Sequence, residues 1–317
     1  MPTFSFIIPV KPGGRVRALE ALRRVGEQDH PYEVLIAEGT RPSRQRNQAA
    51  QQSRGDILYF LDDDSRVDAD CLAQCAAAFA EPGVAVVGGP SLTPEDDTPL
   101  QQLFGAALSS PFGAGGVRNR YRSAGVPRAT TERELILCNL AIRRDAFLTS
   151  GGLDERLYPN EENELLDRIH AGGATLMHIP ALRVTRSQRP TLGAFCRQMF
   201  SYGRGRGQQT RIAGPGSLTG FIPLAFLAYL ALLPFLPPAP SWKLPAMAYV
   251  ALDSLFTAVA LCRHRQLSAV CLLALFPIMH CANGMGLLYG LLGGKPRQQA
   301  DGQVLIRRVK EFGQPAW

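Results

Sequence analysis

Three consecutive carboxylates follow an apolar run in the segment YFLDDDSRVDADCL, residues 59–72. Side chains alternate along an extended chain, so Asp62 and Asp64 are predicted to project to one side and Asp63 to the other. Two carboxylates on one side repel unless a positive charge lies near both, and a divalent cation that also binds substrate phosphates meets that need. The pattern favours a metal site. The alternative is an acidic loop that caps the helix predicted to begin near Asp70.

A second acidic cluster, NEENELLDRI, occupies residues 160–169. Asn160 is a favourable residue before a helix, and the helix dipole favours glutamates in a first turn, so the cluster could serve only to start a helix. Capping and catalysis are compatible, and both interpretations stay open on these residues alone.

Short apolar runs alternate with helix-length segments through the first 210 residues. Runs that are apolar on both faces predict parallel strands buried between helices, and hence an α/β domain with a mostly parallel, Rossmann-like sheet. The triple carboxylate would then lie at the carboxyl end of a central strand, the edge where open α/β sheets bind ligands. The predicted strands cover residues 4–10, 32–39, 56–61, 84–89 and 135–142, and two of the predicted helices cover residues 15–28 and 69–80.

Composition narrows the classes of partner. The 34 Lys and Arg residues give a formal charge of +7, but they form no basic block of the kind that binds nucleic acid, so we expect an anionic partner of another kind. The seven cysteines are odd in number and lack a C-x-x-C pair, which predicts reduced thiols and no zinc site. The first residues lack the pattern of a secretory signal, so we expect the α/β domain in the cytoplasm.

Three much longer apolar runs follow residue 210, at residues 218–236, 244–262 and 267–292. Each is about the 20 residues that a helix needs to cross a bilayer. We therefore predict a domain at residues 1–210 and a multi-pass membrane region with a basic tail at residues 211–317. Buried helices of a soluble domain are the alternative, but three such runs would need a very large core.

Charges around these runs leave two membrane topologies open. Arginines before the first run and in RHR at residues 263–265 favour the cytoplasmic side for both segments, so three crossings would put the tail outside. Basic residues in the tail argue that it is inside, which requires the third run to be a re-entrant or broken helix. Pro277 and the NGMG segment at residues 283–286 are compatible with such a break. Asp253 and His280, both inside apolar runs, are predicted to pair with each other.

The motifs in the first 210 residues, taken in order, resemble the family 2 glycosyltransferases with the GT-A fold. The IIPV strand at residues 7–10, the segment SRQRNQAAQQSRGDILYFLDDD, and the segment from CNLAIRRDAF to NEENELLDRI carry this resemblance over residues 4–210. The resemblance implies a nucleotide pocket. It would be lined by Pro9, Glu38, Arg44, Asn47 and Asp62.

The same resemblance assigns roles to the acidic residues. Asp62 would contact the ribose or a metal, Asp64 would bind Mg²⁺ or Mn²⁺, and Glu162 would be the general base that deprotonates the acceptor hydroxyl. One position departs from the family pattern, because Arg186 in IPALRVTR stands where a metal-binding histidine is often found. Arginine cannot coordinate a cation, so either Asp64 and the diphosphate hold the metal alone or Arg186 supplies charge to the phosphates directly. The nearby His178 is expected to be a core histidine.

A third motif, RQMFSYGRGRGQQ at residues 197–209, resembles the subset of the family that makes exopolysaccharides of the succinoglycan type. Arg204 and Arg206 would bind a pyrophosphate or a lipid diphosphate. The alternative is a basic juxtamembrane segment attracted to anionic lipid.

Together these features predict an inverting glycosyltransferase of the cytoplasmic (inner) membrane whose catalytic domain faces the cytoplasm. It would transfer a sugar from a nucleoside diphosphate, with UDP favoured, to a hydroxyl of a lipid-linked saccharide, together with polysaccharide-assembly proteins. A polyprenyl-phosphate sugar synthase and a non-catalytic membrane scaffold are the alternatives. A sugar-nucleotide pyrophosphorylase is disfavoured, because PVKPGGRVR lacks that class's glycine-rich signature.

Overall fold

A computed structural model of the chain describes residues 1–26, 30–215, 218–237, 239–265, 267–294 and 302–314, with residue 264 described by its backbone only. The chain divides into two compact units. The first comprises Met1–Pro94, Asn119–Ser187 and Arg297–Trp317, and the second comprises Glu95–Arg118 and Gln188–Pro296. The division at residue 210 stays a prediction.

The first unit is built on an eight-stranded mixed sheet with the order β11-β2-β1-β3-β8-β5-β9-β7. Five of these strands, β1, β2, β3, β5 and β9, run in one direction, and β7, β8 and β11 run against them. Their bounds are β1 Phe4–Val10, β2 Tyr32–Glu38, β3 Ile57–Leu61, β5 Val84–Gly88, β7 Arg128–Thr130, β8 Asn139–Arg143, β9 Thr175–His178 and β11 Leu305–Lys310. A second sheet has the order β4-β10-β6 and consists of β4 Arg66–Val67, β6 Ser91–Leu92 and β10 Val184–Thr185.

Helices cover both faces of the large sheet, as the runs of uninterrupted apolar residues predict. The helices of the first unit are α1 Ala18–Leu22, α2 Pro42–Gln52, α3 Cys71–Phe79, α6 Arg144–Thr149 and α7 Glu161–Ala171. Alternate residues of a strand pack on opposite faces of the sheet. In β3, Tyr59 packs in the hydrophobic core on one face, and Leu58 and Phe60 pack in the core on the other. The α/β class is confirmed. The cysteines are free, and Cys71, Cys75 and Cys138 are buried whereas Cys262 and Cys271 are exposed.

One predicted strand is shorter than expected. The apolar run at residues 135–142 yields a strand only from Asn139, and a 3-10 helix at Glu132–Glu134 precedes it. The side chain of Asn139 is fully buried and explains this start. It donates to the carbonyl oxygens of Pro90 and Leu182 and accepts a hydrogen bond from the Tyr59 hydroxyl at 2.7 Å, so it fixes the strand next to the end of β3.

The final strand, β11, was not predicted. It follows the apolar helices in sequence but pairs antiparallel with β2 at the edge of the large sheet. Arg308 forms an ion pair of 2.7 Å with the fully buried Glu33, and Lys310 is 1% exposed, with its ammonium 3.1 Å from the Tyr32 carbonyl and 4.2 Å from the Tyr32 ring centroid. The basic tail is therefore part of the fold here, whereas Lys295 and Arg297 lie outside the described residues.

The second unit contains the long apolar helices. Its helices are α4 Pro99–Ser109, α5 Pro111–Ala114, α8 Leu192–Ala213, α9 Ile222–Leu232, α10 Leu244–His264 and α11 Leu272–Leu291. Among the described residues, three segments are long and apolar enough to span a membrane, at Leu218–Phe235, Pro240–Arg263 and Leu267–Leu291. They match the three predicted runs. The share buried inside the protein is 0%, 11% and 44%, respectively.

The third apolar helix packs closely against the polar helix α8. A Cβ atom added to Gly203 of α8 would lie 2.0 Å from the carbonyl oxygen of Asn283, and one added to Gly286 of α11 would lie 1.9 Å from that of Phe200. Only glycine permits this backbone approach. The helix is continuous through Pro277, so the broken helix that one of the two topologies allowed does not occur.

The predicted pair of Asp253 and His280 is wrong. Asp253 accepts a hydrogen bond from Thr257, and the two ring nitrogens of His280 contact the Tyr249 hydroxyl at 2.9 Å and the Phe112 carbonyl oxygen at 3.0 Å. Each polar group in this apolar region thus has a different partner on its own or a neighbouring helix.

Candidate active site

The first acidic cluster lies at the end of β3. All five residues of this strand are buried, and the chain leaves the sheet at Asp62, at the same edge where the parallel strands β1 and β2 end. Side-chain exposure then rises to 21% at Asp62 and 36% at Asp64. Burial and the neighbouring carboxylates of Asp64 and Asp62 raise the pKa of Asp63 above its ordinary value. The three carboxylates therefore lie at the end of a buried strand, where their side chains are partly exposed to solvent.

Arg186 contacts both acids of the predicted metal pair. Its Nη1 atom lies 3.0 Å from Asp62 Oδ2, and its Nε atom donates to Asp64 Oδ1 at 2.7 Å. The arginine directly follows β10, and its backbone N–H donates to the Leu92 carbonyl at 2.9 Å, so the second sheet fixes its position. Asp62 and Asp64 thus share one cationic partner, as their predicted common orientation requires.

Arg46 joins the two acidic clusters. It lies on α2 with its side chain 5% exposed, and its guanidinium is 2.7 Å from Asp62 Oδ1 and 3.7 Å from Glu161 Oε1. No local pattern in the sequence singles out this residue, although it lies within the SRQRNQ segment that carries the family resemblance. A buried arginine that contacts both side chains keeps the clusters close together and offsets the negative charge of Asp62.

The second acidic cluster starts α7. Asn160 occupies the predicted position before the helix, but it adopts a left-handed conformation with φ of 87° and its side chain caps no helix N–H. Its role as a side-chain cap is therefore not supported by the structure. A non-glycine residue in this conformation is costly and is kept only where the surroundings require it. Here it sets the direction from which Glu161 and Glu162 enter the helix.

The two glutamates have different environments. The Glu161 side chain is 3% exposed, and burial, with the neighbouring Glu162 as a lesser cause, raises the pKa of Glu161 to about 8. The Glu162 side chain keeps 11% exposure, and its Oε1 lies 3.6 Å from Nη1 of Arg120. Arg120 also donates to the carbonyl oxygens of Glu132 and Arg133 and to the side chain of Asn163. Glu162 is the more accessible carboxylate and the better placed of the two to meet a substrate.

The predicted nucleotide-pocket residues are distributed over β1, β2 and α2. Pro9 and Glu38 lie at the carboxyl ends of β1 and β2, and Glu38 accepts a hydrogen bond from the Gly13 N–H at 3.2 Å and pairs with Arg307 of β11 at 3.4 Å. Arg44 is partly exposed on α2. These residues share the sheet edge with Asp62, and their proposed contact with a nucleotide stays a prediction.

Asn47 has a structural task in addition to its predicted one. Its side-chain amide accepts from the Leu153 N–H and donates to the Leu153 carbonyl, both at 2.9 Å. These bonds hold the GGLDE turn, in which Gly152 has φ of 73° and no space for a Cβ atom beside Asn47. The turn leads toward α7, so Asn47 helps to position the second acidic cluster.

Arg204 and Arg206 lie on α8, in the second unit, and both are partly exposed. Arg206 donates to the side chain of Gln209 at 3.4 Å. His178, in contrast, is fully buried in β9 with Nδ1 3.1 Å from the Glu134 carbonyl oxygen, and burial lowers its pKa. That location agrees with the expected core histidine.

The donor set of the first cluster fits a divalent cation that is bound together with a diphosphate. The carboxylates of Asp62 and Asp64 both contact the guanidinium of Arg186, so their oxygen atoms point toward the same position. Carboxylate oxygens are the ligands that hard divalent cations prefer. Among the described residues no group of three His, Cys, Asp or Glu side chains could enclose a metal. The remaining ligands would therefore come from the diphosphate and water.

Two arginines of this site, Arg46 and Arg120, could not be assigned from the sequence. Arginines are common on helix surfaces, and their partners here lie far away along the chain. The signal that could have pointed to them is electrostatic: two acidic clusters brought to one site require buried positive charge.

One comparison with a solved structure agrees with this fold. A mannosyltransferase of Pyrobaculum calidifontis, PcManGT, solved with GDP-Man and Mn²⁺, aligns with a TM-score of 0.56 and 16% identity over 93% of this chain and 88% of that chain. S. aureus TarS 1-349, solved with UDP-GlcNAc, aligns at 11% identity over 98% of both chains with a TM-score of 0.46. No match was found among curated proteins.

The family assignment comes from a sequence profile. The profile described as "Glycosyl transferase family group 2" matches residues 57–279, which is more than half of the chain. The matched range includes both acidic clusters and the first two long apolar helices, and it ends within α11. The chain therefore belongs to the group 2 family of glycosyltransferases.

Proposed function

We propose that the protein is a membrane-bound, inverting glycosyltransferase that moves a sugar from a nucleoside diphosphate, UDP in the first instance, to a hydroxyl of a lipid-linked saccharide during cell-surface polysaccharide synthesis. The observation that carries this proposal is the joining of two acidic clusters by Arg46: one lies at the ligand-binding edge of the sheet, and the other contains an accessible glutamate at the start of a helix. Transfer needs both a diphosphate site and a base.

Each cluster contributes a different part of the reaction. Asp62 and Asp64 would hold Mg²⁺ or Mn²⁺ together with the donor diphosphate, and the cation would supply positive charge to the leaving diphosphate. The oxygen of the acceptor hydroxyl attacks the anomeric carbon on the face opposite the diphosphate, and Glu162 accepts the proton of that hydroxyl. Arg120 holds its positive charge next to Glu162, and Arg46 keeps the two carboxylate clusters at a fixed separation. Pro9, Glu38, Arg44 and Asn47 are proposed to line the nucleotide pocket, and Arg204 with Arg206 to bind the lipid diphosphate.

The proposed location is the cytoplasmic membrane with the catalytic unit facing the cytoplasm. A tail that leaves α11 and pairs with β2 must be on the same side of the membrane as the sheet, so an even number of crossings is proposed. Residues 218–235 and 240–263 would form the crossing hairpin. The Leu267–Leu291 segment is the most buried of the three and lies against α8, which carries four arginines, so it is proposed to remain at the cytoplasmic interface.

Labelling would test this topology. In sealed vesicles of known orientation, a cysteine introduced at Ser241, between the two spans, should react with an impermeant maleimide from the side opposite the catalytic unit. One introduced at Gln314 should react only from the catalytic side. The exposed Cys262 and Cys271 are first replaced by serine. Labelling of Gln314→Cys from the Ser241 side would contradict the proposal.

The enzymatic proposal is tested with a panel of radiolabelled nucleotide sugars, supplied to membranes that contain the protein with and without divalent cation. Incorporation of label into lipid-extractable saccharide from one donor is expected. Full turnover after Glu162→Gln would instead favour transfer to a polyprenyl phosphate, which needs no strong base. Failure to bind any nucleotide sugar would support a non-catalytic scaffold.

A further inference from the structure

Arg186 lies where the two aspartates would hold a cation. Its Nη1 atom reaches Asp62 Oδ2 at 3.0 Å, and its Nε atom reaches Asp64 Oδ1 at 2.7 Å. The side chain is 25% exposed, so this contact is partly shielded from solvent. A planar fork with several N–H donors suits carboxylates and phosphates equally well.

The charges around the pair are already balanced in this arrangement. The two carboxylates carry −2, and the two guanidinium groups that contact them, those of Arg46 and Arg186, carry +2, which gives a sum of zero. A divalent cation that entered alone would have to displace Arg186, and the two carboxylates with Arg46 and the cation would then carry one positive charge in excess. A nucleoside diphosphate brings compensating negative charge and offers Arg186 new acceptors.

We propose that Arg186 is a tethered counter-ion that makes binding of the divalent cation depend on the nucleoside diphosphate. Without a nucleotide, Arg186 occupies Asp62 and Asp64 and excludes the cation. When the diphosphate binds, Arg186 donates to its oxygens and releases the carboxylates. The inference rests on the proposed function, and it determines the order in which the ligands bind.

The anchoring of Arg186 supports an exchange that is confined to the side chain. Its backbone is held by the bond to Leu92 and by the pairing of β10 with β4 and β6, so only the side-chain torsions need to change. Arg183, on the same segment, provides a matched control. It forms an ion pair of 3.0 Å with Asp68 and its side chain is 51% exposed, away from the Asp62 and Asp64 carboxylates.

The test measures Mn²⁺ binding by electron paramagnetic resonance on the full-length protein in detergent, with and without UDP. The wild type and Arg183→Ala should bind Mn²⁺ weakly without UDP and at least about tenfold more tightly with it. This is the size of effect expected when the ion pairs of Arg186 no longer compete with Mn²⁺ for the two aspartates. Arg186→Ala should bind Mn²⁺ without UDP about tenfold more tightly than the wild type. It should also lose UDP affinity in the absence of metal.

A second variant covers the case in which Arg186→Ala does not fold. Arg186→His replaces the counter-ion by a possible metal ligand and should bind Mn²⁺ without UDP. Equal Mn²⁺ affinity of the wild type and the Arg186 variants without UDP would overturn the inference while UDP binding still supported the proposed function. Failure of the wild type to bind UDP at any Mn²⁺ concentration would instead overturn the proposed function itself.

Discussion

The two acidic clusters differ in how the protein treats their charge. At the end of β3, Asp62 and Asp64 are partly exposed and each has an arginine within 3.0 Å. At the start of α7, Glu161 and Glu162 are almost buried and their arginines are 3.6 to 3.7 Å away. The first arrangement is suited to exchanging one cationic partner for another. The second favours retention of a proton by one member of the pair, since burial disfavours two charges side by side.

The largest effect is expected from the first cluster. Asp64→Asn removes a charged ligand from the diphosphate site and should lower the transfer rate about 10³-fold, since charge stabilisation at a leaving group contributes several kcal/mol. Asp63→Asn is the matched control and should change the rate less than about threefold, because alternation along the chain predicts that Asp63 projects away from the pair formed by Asp62 and Asp64. Steady-state rates with a saturating donor measure both. Equal losses in the two variants would remove the distinction between the adjacent acids.

The link between the clusters is tested by Arg46→Met. The change removes the buried cation that contacts Asp62 and Glu161, so the free energy of unfolding should fall by about 3 kcal/mol, as is typical when one partner of a buried ion pair is lost. Denaturation in detergent measures the change. Arg156→Met, which removes the partner of Asp154 from a side chain that is 71% exposed, is the control and should have little effect. A stability loss no larger than the control's would mean that Arg46 does not join the clusters.

A carboxylate without a proposed catalytic role calibrates these effects. Glu33 is fully buried on β2 and pairs with Arg308 of β11 at 2.7 Å and, less closely, with Arg54 at 3.4 Å. Arg308→Met should therefore lower the free energy of unfolding by about 2 kcal/mol without changing the affinity for UDP. Arg307→Met, at a neighbouring side chain that is 53% exposed, should lower the free energy of unfolding by less than about 1 kcal/mol. The reverse order would indicate that β11 does not pair with β2 in solution.

The sequence predicted the acidic residues better than the positive charges that hold them. The sequence around Asp62 was enough to predict the buried strand that precedes it. The sequence around Arg186 was enough to show that an arginine stands where the family often has a histidine. Arg46 and Arg120 were not, because their partners are brought close only by the folded chain. The strand β11 was read as a basic tail because LIRRVK is rich in charge, and only the structure shows Lys310 buried against Tyr32. Local pattern likewise suggested that Asp253 and His280 pair, yet each has a nearer partner.

The smallest effect at neutral pH is expected at Glu161. Its pKa of about 8 in the folded protein exceeds the ordinary value of 4.5, so the folded state binds this proton more tightly than the unfolded chain does. The contribution of Glu161 to stability should therefore be fully present below about pH 4.5 and be lost as pH rises through about 8, and Glu161→Gln should remove that decline. Thermal unfolding between pH 5 and pH 9 tests this. An unchanged pH dependence in the variant would contradict the protonated state of Glu161.

The central claim is that Glu162 is the base and Glu161 its protonated neighbour. The direct test compares single-turnover transfer of radiolabelled sugar to lipid at pH 7 in the wild type, Glu162→Gln and Glu161→Gln, each with its UDP affinity measured. Glu162→Gln should be slower by about 10²-fold or more with unchanged UDP affinity, whereas Glu161→Gln should remain within about threefold of the wild type. A fast Glu162→Gln variant, or a larger loss in Glu161→Gln, would contradict the assignment.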